Sequence, residues 1–329
     1  MQSYLFTFLI VSFATTICGK LYIHTWQKIY TRDVTPTGFG ILYPVILVVY
    51  FFLNFEIFSA SIKSSLIILF AGLIYLIDDM KGLHHWLRIF IAFIFGSLMF
   101  WIEYINGINI NFTMLGLLLF FGILSLGLTN MMNFNDGVDL NLALIILLSG
   151  LILFFYTNSE NLIFKNIGVL TCAFAVGFGF LNKKPNTLFL GDAGAFVFAL
   201  VFLFFILKFF TSSGEIPLEL IAVLAIPMFD VFYVMLIRLY YKHNMLSRNY
   251  LHLYQRLRII YGGFYHLIPQ VINIIGVIFF AKLIEEYFIE KIWTLLVSGF
   301  LFTPTFYIIC RFFFIERSYF FGDGELNEK

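Results

Sequence analysis

The chain has 329 residues and a formal net charge of +1; 61% of its residues are hydrophobic and only 12% are charged. A soluble domain carries about 25% charged residues, so half that supply cannot cover a water-facing surface, and a soluble globular protein is excluded. The apolar excess must face lipid. Cys18, Cys172 and Cys310 each lie in an apolar stretch, with neither metal-ligand nor disulfide spacing.

A spanning helix needs about 20 mostly apolar residues. In chain order the sequence offers eleven such stretches, at about 2–19, 40–55, 64–77, 87–104, 112–130, 140–156, 163–181, 190–211, 216–238, 268–284 and 293–314. The first lacks the preceding basic residues and the small-residue cleavage site of a signal peptide, and is read as an uncleaved span. The third is short. The longest segment outside the spans is the loop at about 239–267. The pattern predicts an all-α polytopic helical bundle, one integral membrane domain over 1–329. Eleven spans place the termini on opposite sides. With the N-terminus outside and the C-terminus in the cytoplasm, fifteen of the twenty basic residues fall on the cytoplasmic side, as positive-inside bias requires. All eight aspartates fall there as well. Carboxylates do not set topology, so this second sorting points to a metal and phosphate site on that face.

The aspartates come in clusters. Asp78-Asp79 close the third span. Adjacent carboxylates at a membrane boundary are costly unless solvated, paired or bound to a cation, and the pair alone is equally a solvated helix end. Asn130, Asn133, Asp136, Gly137 and Asp139 follow the fifth span. Asn130 and Asn133 share a helix face, and Asn and Asp oxygens are hard ligands suited to Mg²⁺. Asx turns explain one or two of these residues but not all of them. Phe189-Leu190-Gly191-Asp192-Ala193-Gly194 opens the eighth span, where Asp192 alone reads as a helix cap. Asp230 lies inside the ninth span, about two turns before Arg238, and a structural salt bridge between them is as good a reading as catalysis. The loop Arg248–Arg258 holds Arg248, His252, Arg256 and Arg258 among aromatics. Arg forks suit phosphate. Positive-inside charge accounts for the arginines but not for the histidine and Gln255 between them.

Taken in this order, the clusters resemble the polyprenyl-phosphate N-acetylhexosamine-1-phosphate transferases (glycosyltransferase family 4), whose members start O-antigen, surface-polysaccharide or teichoic-acid synthesis. The phospho-N-acetylmuramoyl-pentapeptide transferases are their relatives. The resemblance runs from about Thr35 to Leu257. It implies that Asp78 and Asp79 form the catalytic pair, with Asp136 and Asp139 as further catalytic carboxylates. It implies that Asp192 and Asn133 hold Mg²⁺, with Mn²⁺ as a substitute. Arg88, Asn130, Asn182, His252, Arg256 and Arg248 would bind substrate. The implied partners are a UDP-N-acetylhexosamine, undecaprenyl phosphate and membrane lipid, with a homodimer allowed and no nucleic acid. The implied place is a bacterial inner membrane, with the site on the cytoplasmic face and the 239–267 loop as the donor- and phosphate-binding element. The sequence also departs from the family. Leu140 stands where a second Gly is usual, and the early Pro-Thr-Pro-Arg-Gly-Gly segment is reduced to Thr35-Pro36-Thr37-Gly38-Phe39-Gly40, without its Arg. The triple-His loop of the pentapeptide enzymes is absent, which argues against a pentapeptide substrate. The rival readings are an ion-coupled transporter and a non-catalytic polyprenyl-phosphate binding protein. The one-sided clustering of Asp and the lack of a repeat weigh against the first, and the retained carboxylates against the second.

Overall fold

A computed structural model describes residues 2–30, 35–104, 112–155, 162–183, 188–213, 218–244, 250–285 and 291–315. Among them there are helices and no strands. The chain forms two compact units, 1–217 and 218–329. The first holds α1 (Gln2–Ile29), α2 (Leu42–Leu53), α3 (Phe55–Lys81), α4 (His85–Tyr104), α5 (Phe112–Asn135), α6 (Asn141–Phe155), α7 (Leu162–Gly179) and α8 (Gly191–Ser213). The second holds α9 (Leu218–Tyr240), α10 (Leu253–Tyr261), α11 (Ile268–Glu285) and α12 (Lys291–Phe314). Eight helices among the described residues are long and apolar enough to cross a membrane, and three shorter apolar helices accompany them.

A helix that is apolar all round belongs in the middle of a bundle, and α8 is that helix. Every residue from Ala193 to Phe205 is buried, with α3, α4 and α5 packed around it. Around this centre, small residues let backbones approach. Gly150 of α6 and Gly168 of α7 face each other so closely that a Cβ on either would sit 2.8–2.9 Å from the other's carbonyl oxygen. Between α4 and α8, Glu103 pairs with Lys208 at 3.3 Å, and Ser64 of α3 donates to the same carboxylate. A partnered pair of this kind is how charge is tolerated inside apolar packing.

Two expectations change. The third span is not short: α3 runs for 27 residues, and Asp78-Asp79 lie within its last turn rather than beyond its end. The 239–267 loop is not an extended loop throughout. Residues 253–261 form α10, with Leu253, Tyr254, Arg256 and Leu257 buried.

Candidate active site

A helix C-terminus carries partial negative charge, so two carboxylates in the last turn of α3 require compensation. Gly82 ends the helix with φ +70° and donates its N–H to the Asp78 carbonyl at 2.8 Å. The Asp78 carboxylate turns back on the next segment. Its Oδ1 accepts the Leu83 N–H at 2.6 Å, and its Oδ2 lies 2.8 Å from Arg88 Nε. Arg88 also reaches across to α8, where Nη1 lies 2.9 Å from Asp192 Oδ2. The Tyr75 hydroxyl holds the Arg88 carbonyl at 2.6 Å. One guanidinium thus ties the ends of α3 and α8 together. Fork geometry serves two carboxylates where a lysine would offer a single point charge.

Asp79 has a different task. Helix N-termini leave backbone N–H groups without intrahelical partners. At α8 two carboxylates take four successive donors. Asp136 accepts from Leu190 at 3.3 Å and Gly191 at 2.8 Å, and Asp79 from Asp192 at 3.0 Å and Ala193 at 2.9 Å. The cap of α8 is therefore Asp79, supplied from 113 residues away, and not the Asp192 side chain. Burial pushes the Asp136 carboxyl well above the ordinary carboxylate range, and its two N–H donors pull it back. Asp136→Asn places an NH₂ group against one of these N–H donors. The expected cost is about 1–3 kcal/mol, read as a fall in melting temperature in detergent; an unchanged melting temperature would remove the capping role.

The glycines follow from this geometry. Gly191 has φ +74°, and a Cβ there would lie 2.5 Å from the Gly38 nitrogen and under 3 Å from both Asp79 oxygens. The segment from Pro36 to Gly40 runs against the start of α8. Phe189 donates to the Pro36 carbonyl at 3.0 Å, and Gly40 to the Leu190 carbonyl at 3.3 Å. A Cβ on Gly40 would stand 2.1 Å from Gly194 Cα. Phe39, in the segment that lacks the family's Arg, is buried and stacks with Phe174 and Phe178 at 6.2 and 6.4 Å. In this chain that segment is a packing element.

Arg88 and Asp192 line a cavity of about 90 Å³ together with Tyr75, Thr129, Asn130 and Asn133. Asn130 and Asn133 are exposed on the last turns of α5. Among the described residues Asp192 Oδ1 has no hydrogen-bond partner. No group of three His, Cys, Asp or Glu is placed to hold a metal among them. One carboxylate beside two amide oxygens is nevertheless a donor set that fits Mg²⁺, which takes few protein ligands and completes its shell with water and substrate phosphate.

Amide side chains, the predicted Asn182 among them, shape the turn after α5. Asn135 accepts from Asn141 at 2.7 Å. Asn182 accepts the Leu140 N–H at 2.5 Å and donates to the Leu188 carbonyl at 2.7 Å, so it joins the two loops instead of lining the cavity. Leu140 takes φ +64°, a conformation that favours the glycine usual at this position. Asp139 is half-buried in the same turn and also lies off the cavity lining.

In the C-terminal unit His252 and Arg256 are both buried; Arg248 lies outside the described residues. The expected pairing of Asp230 with Arg238 is not what the structure shows. Asp230 bonds His252, the Leu253 N–H and Tyr307, with Arg311 at 3.6 Å. Arg238 turns to the Asn244 carbonyl. An eight-residue separation along one helix suggested the first pairing; the partners come from the following loop and from α12.

Fold and site together define an all-α polytopic membrane protein with an acidic, arginine-bridged cluster at the entry to its central helix. Residues 60–210 match the family model described as Glycosyl transferase family 4. This match supports membership of that family, the polyprenyl-phosphate sugar-1-phosphate transferases. The matched segment contains Asp78, Asp79, Arg88, Asn130, Asn133, Asp136 and Asp192. A comparison with curated proteins returns no match.

Proposed function

We propose that the chain transfers an N-acetylhexosamine-1-phosphate from a UDP-sugar to undecaprenyl phosphate, releasing UMP. The sugar is GlcNAc or a 6-deoxy or epimeric relative. The product starts an O-antigen, another surface polysaccharide or a cell-wall glycan, at the cytoplasmic face of a bacterial inner membrane. The observation that carries the reading is the Arg88 fork between Asp78 and Asp192, at the edge of a cavity also lined by Asn130 and Asn133. A cation, a carboxylate and amide oxygens around one small space are what a pyrophosphate with its metal requires.

The contacts support the following roles. Asp192 and Asn133 would hold Mg²⁺, which would supply positive charge against the pyrophosphate. Arg88 meets phosphate, and Asp78 holds Arg88 in place. Asp79 and Asp136 keep the start of α8 in position. An oxygen of the lipid phosphate attacks the β-phosphorus, the bond from that phosphorus to the bridging oxygen breaks, and UMP leaves with the electron pair. Asp78, Asp79 and Asp136 are committed to N–H donors or to Arg88. Asn130 is assigned to the donor, and His252, Arg256 and Arg248 to phosphate.

The test uses purified protein in detergent with undecaprenyl phosphate and UDP-GlcNAc labelled with ³²P at the β-phosphate. Label is expected in the lipid phase with Mg²⁺ and not with EDTA, with Mn²⁺ restoring it and UMP released. Transfer from only a 6-deoxy donor would change the sugar and keep the reaction. Folded protein inactive across a UDP-sugar panel would overturn the reading.

A further inference from the structure

The C-terminal unit carries a buried polar network around His252, of which the transfer chemistry above uses the histidine but none of the groups bonded to it. Asp230 of α9 is 1% exposed. Its Oδ2 lies 2.8 Å from His252 Nδ1. Its Oδ1 accepts the Leu253 N–H at 2.9 Å and the Tyr307 hydroxyl. Arg311, one turn beyond Tyr307 on α12, donates Nε to the Tyr307 oxygen at 2.8 Å and Nη2 to the Leu251 carbonyl. Its guanidinium lies over Tyr233 at 4.9 Å and over Tyr307 at 5.4 Å. Residues 251, 252 and 253 are thus each tied by a separate bond to Asp230 or Arg311.

We propose that Asp230, supported by Tyr307 and Arg311, is a positioning residue that fixes the tautomer and direction of His252, so that the imidazole meets a substrate phosphate through Nε2. This rests on the reading that His252 binds phosphate. A carboxylate only accepts hydrogen bonds, so Nδ1 carries the proton in this contact, and a substrate oxygen can be reached only through Nε2. The charges support the assignment. A lone buried carboxylate is costly, and Arg311 balances Asp230. A proton gained by His252 then leaves the network with a net positive charge, which suits a phosphate. A structural clamp needs the Leu251 and Leu253 bonds but not the bond to the ring. That ring bond is the arrangement by which a carboxylate orients a working histidine.

The test has two readouts. Histidine-selective ¹⁵N NMR of the wild-type protein, with His252 assigned by its loss in His252→Gln, should show the Nδ1–H tautomer when the ring is neutral; an Nε2–H tautomer overturns the proposal. In the transfer assay, Asp230→Asn and His252→Gln should each lower kcat by about ten- to a hundredfold. The double variant should be no slower than His252→Gln, because Asp230 acts through the ring. Multiplying losses would mean that Asp230 acts independently, and would overturn the proposal. If Asp230→Asn does not fold, the wild-type spectrum decides. If the wild-type protein transfers nothing from any nucleotide sugar, the functional reading falls while the tautomer measurement still tests the dyad.

Discussion

Replacing Asp192 with Asn is expected to lower sugar-phosphate transfer at least about a hundredfold, more than the loss of an outer-shell contact to a metal, without unfolding the protein. The two effects separate because this side chain is not the cap of its own helix. Its backbone N–H and that of Ala193 are held by Asp79, and the substitution leaves those bonds in place. It removes the negative charge beside the cavity and the Asp192 half of the Arg88 bridge. A reduced rate with a near-normal melting temperature, and a higher Mg²⁺ requirement in the residual activity, is the expected pattern. Full transfer in this variant would overturn the metal assignment. A collapse of the melting temperature would mean that the side chain is structural after all.

Gly191→Ala should act through the backbone. A left-handed conformation costs a side-chain-bearing residue about 1–2 kcal/mol, and overpacking adds about 1–3 kcal/mol. The Gly191 φ is +74°, and the nearest atoms to a new Cβ are the Gly38 nitrogen and the two Asp79 oxygens. Neither neighbour is the free end of a flexible side chain, so the added methyl must push the early segment away or dislodge the cap. The expected result is a loss of about 3 kcal/mol together with loss of transfer, measured as thermal unfolding and as activity on the same preparation. An Ala variant with wild-type stability would show that the segment and the helix start do not pack as described. Gly116 provides the control, because nothing lies within 4 Å of a Cβ there.

The helices were legible in the sequence because lipid-facing chains reveal themselves by composition. Each of the eleven apolar stretches coincides with a helix, and most boundaries agree within a few residues. The acidic pair hid the end of α3, since Asp78 and Asp79 look like the start of a loop until their partners are known. α10 was missed for the opposite reason. It is nine residues long, and its alternation of basic, aromatic and aliphatic residues carries no span signal. The residues of the candidate site were named from the sequence, but their division of labour was not. That Asp79 and Asp136 hold backbone, and that Asn182 ties Leu140 to Leu188, depends on contacts between distant parts of the chain. Tyr307 and Arg311 gave no signal, because a tyrosine and an arginine near the end of an apolar helix read as an interfacial belt. A buried Asp230 that needs a cation was the available clue, and α12 supplied one.

The contact between Gly40 and Leu190 also sets an order of events during synthesis. The two residues are about 150 positions apart. At about 5–20 residues per second, the early segment emerges roughly 8–30 s before the start of α8. The end of α3 follows about 40 residues after Gly40, and for the roughly 110 residues after that the N–H groups that Asp79 will hold do not yet exist. A nascent chain stopped short of Gly191 therefore carries its acidic pair without this cap. Completion of the central helix is the step that supplies the N–H donors for that charged helix end.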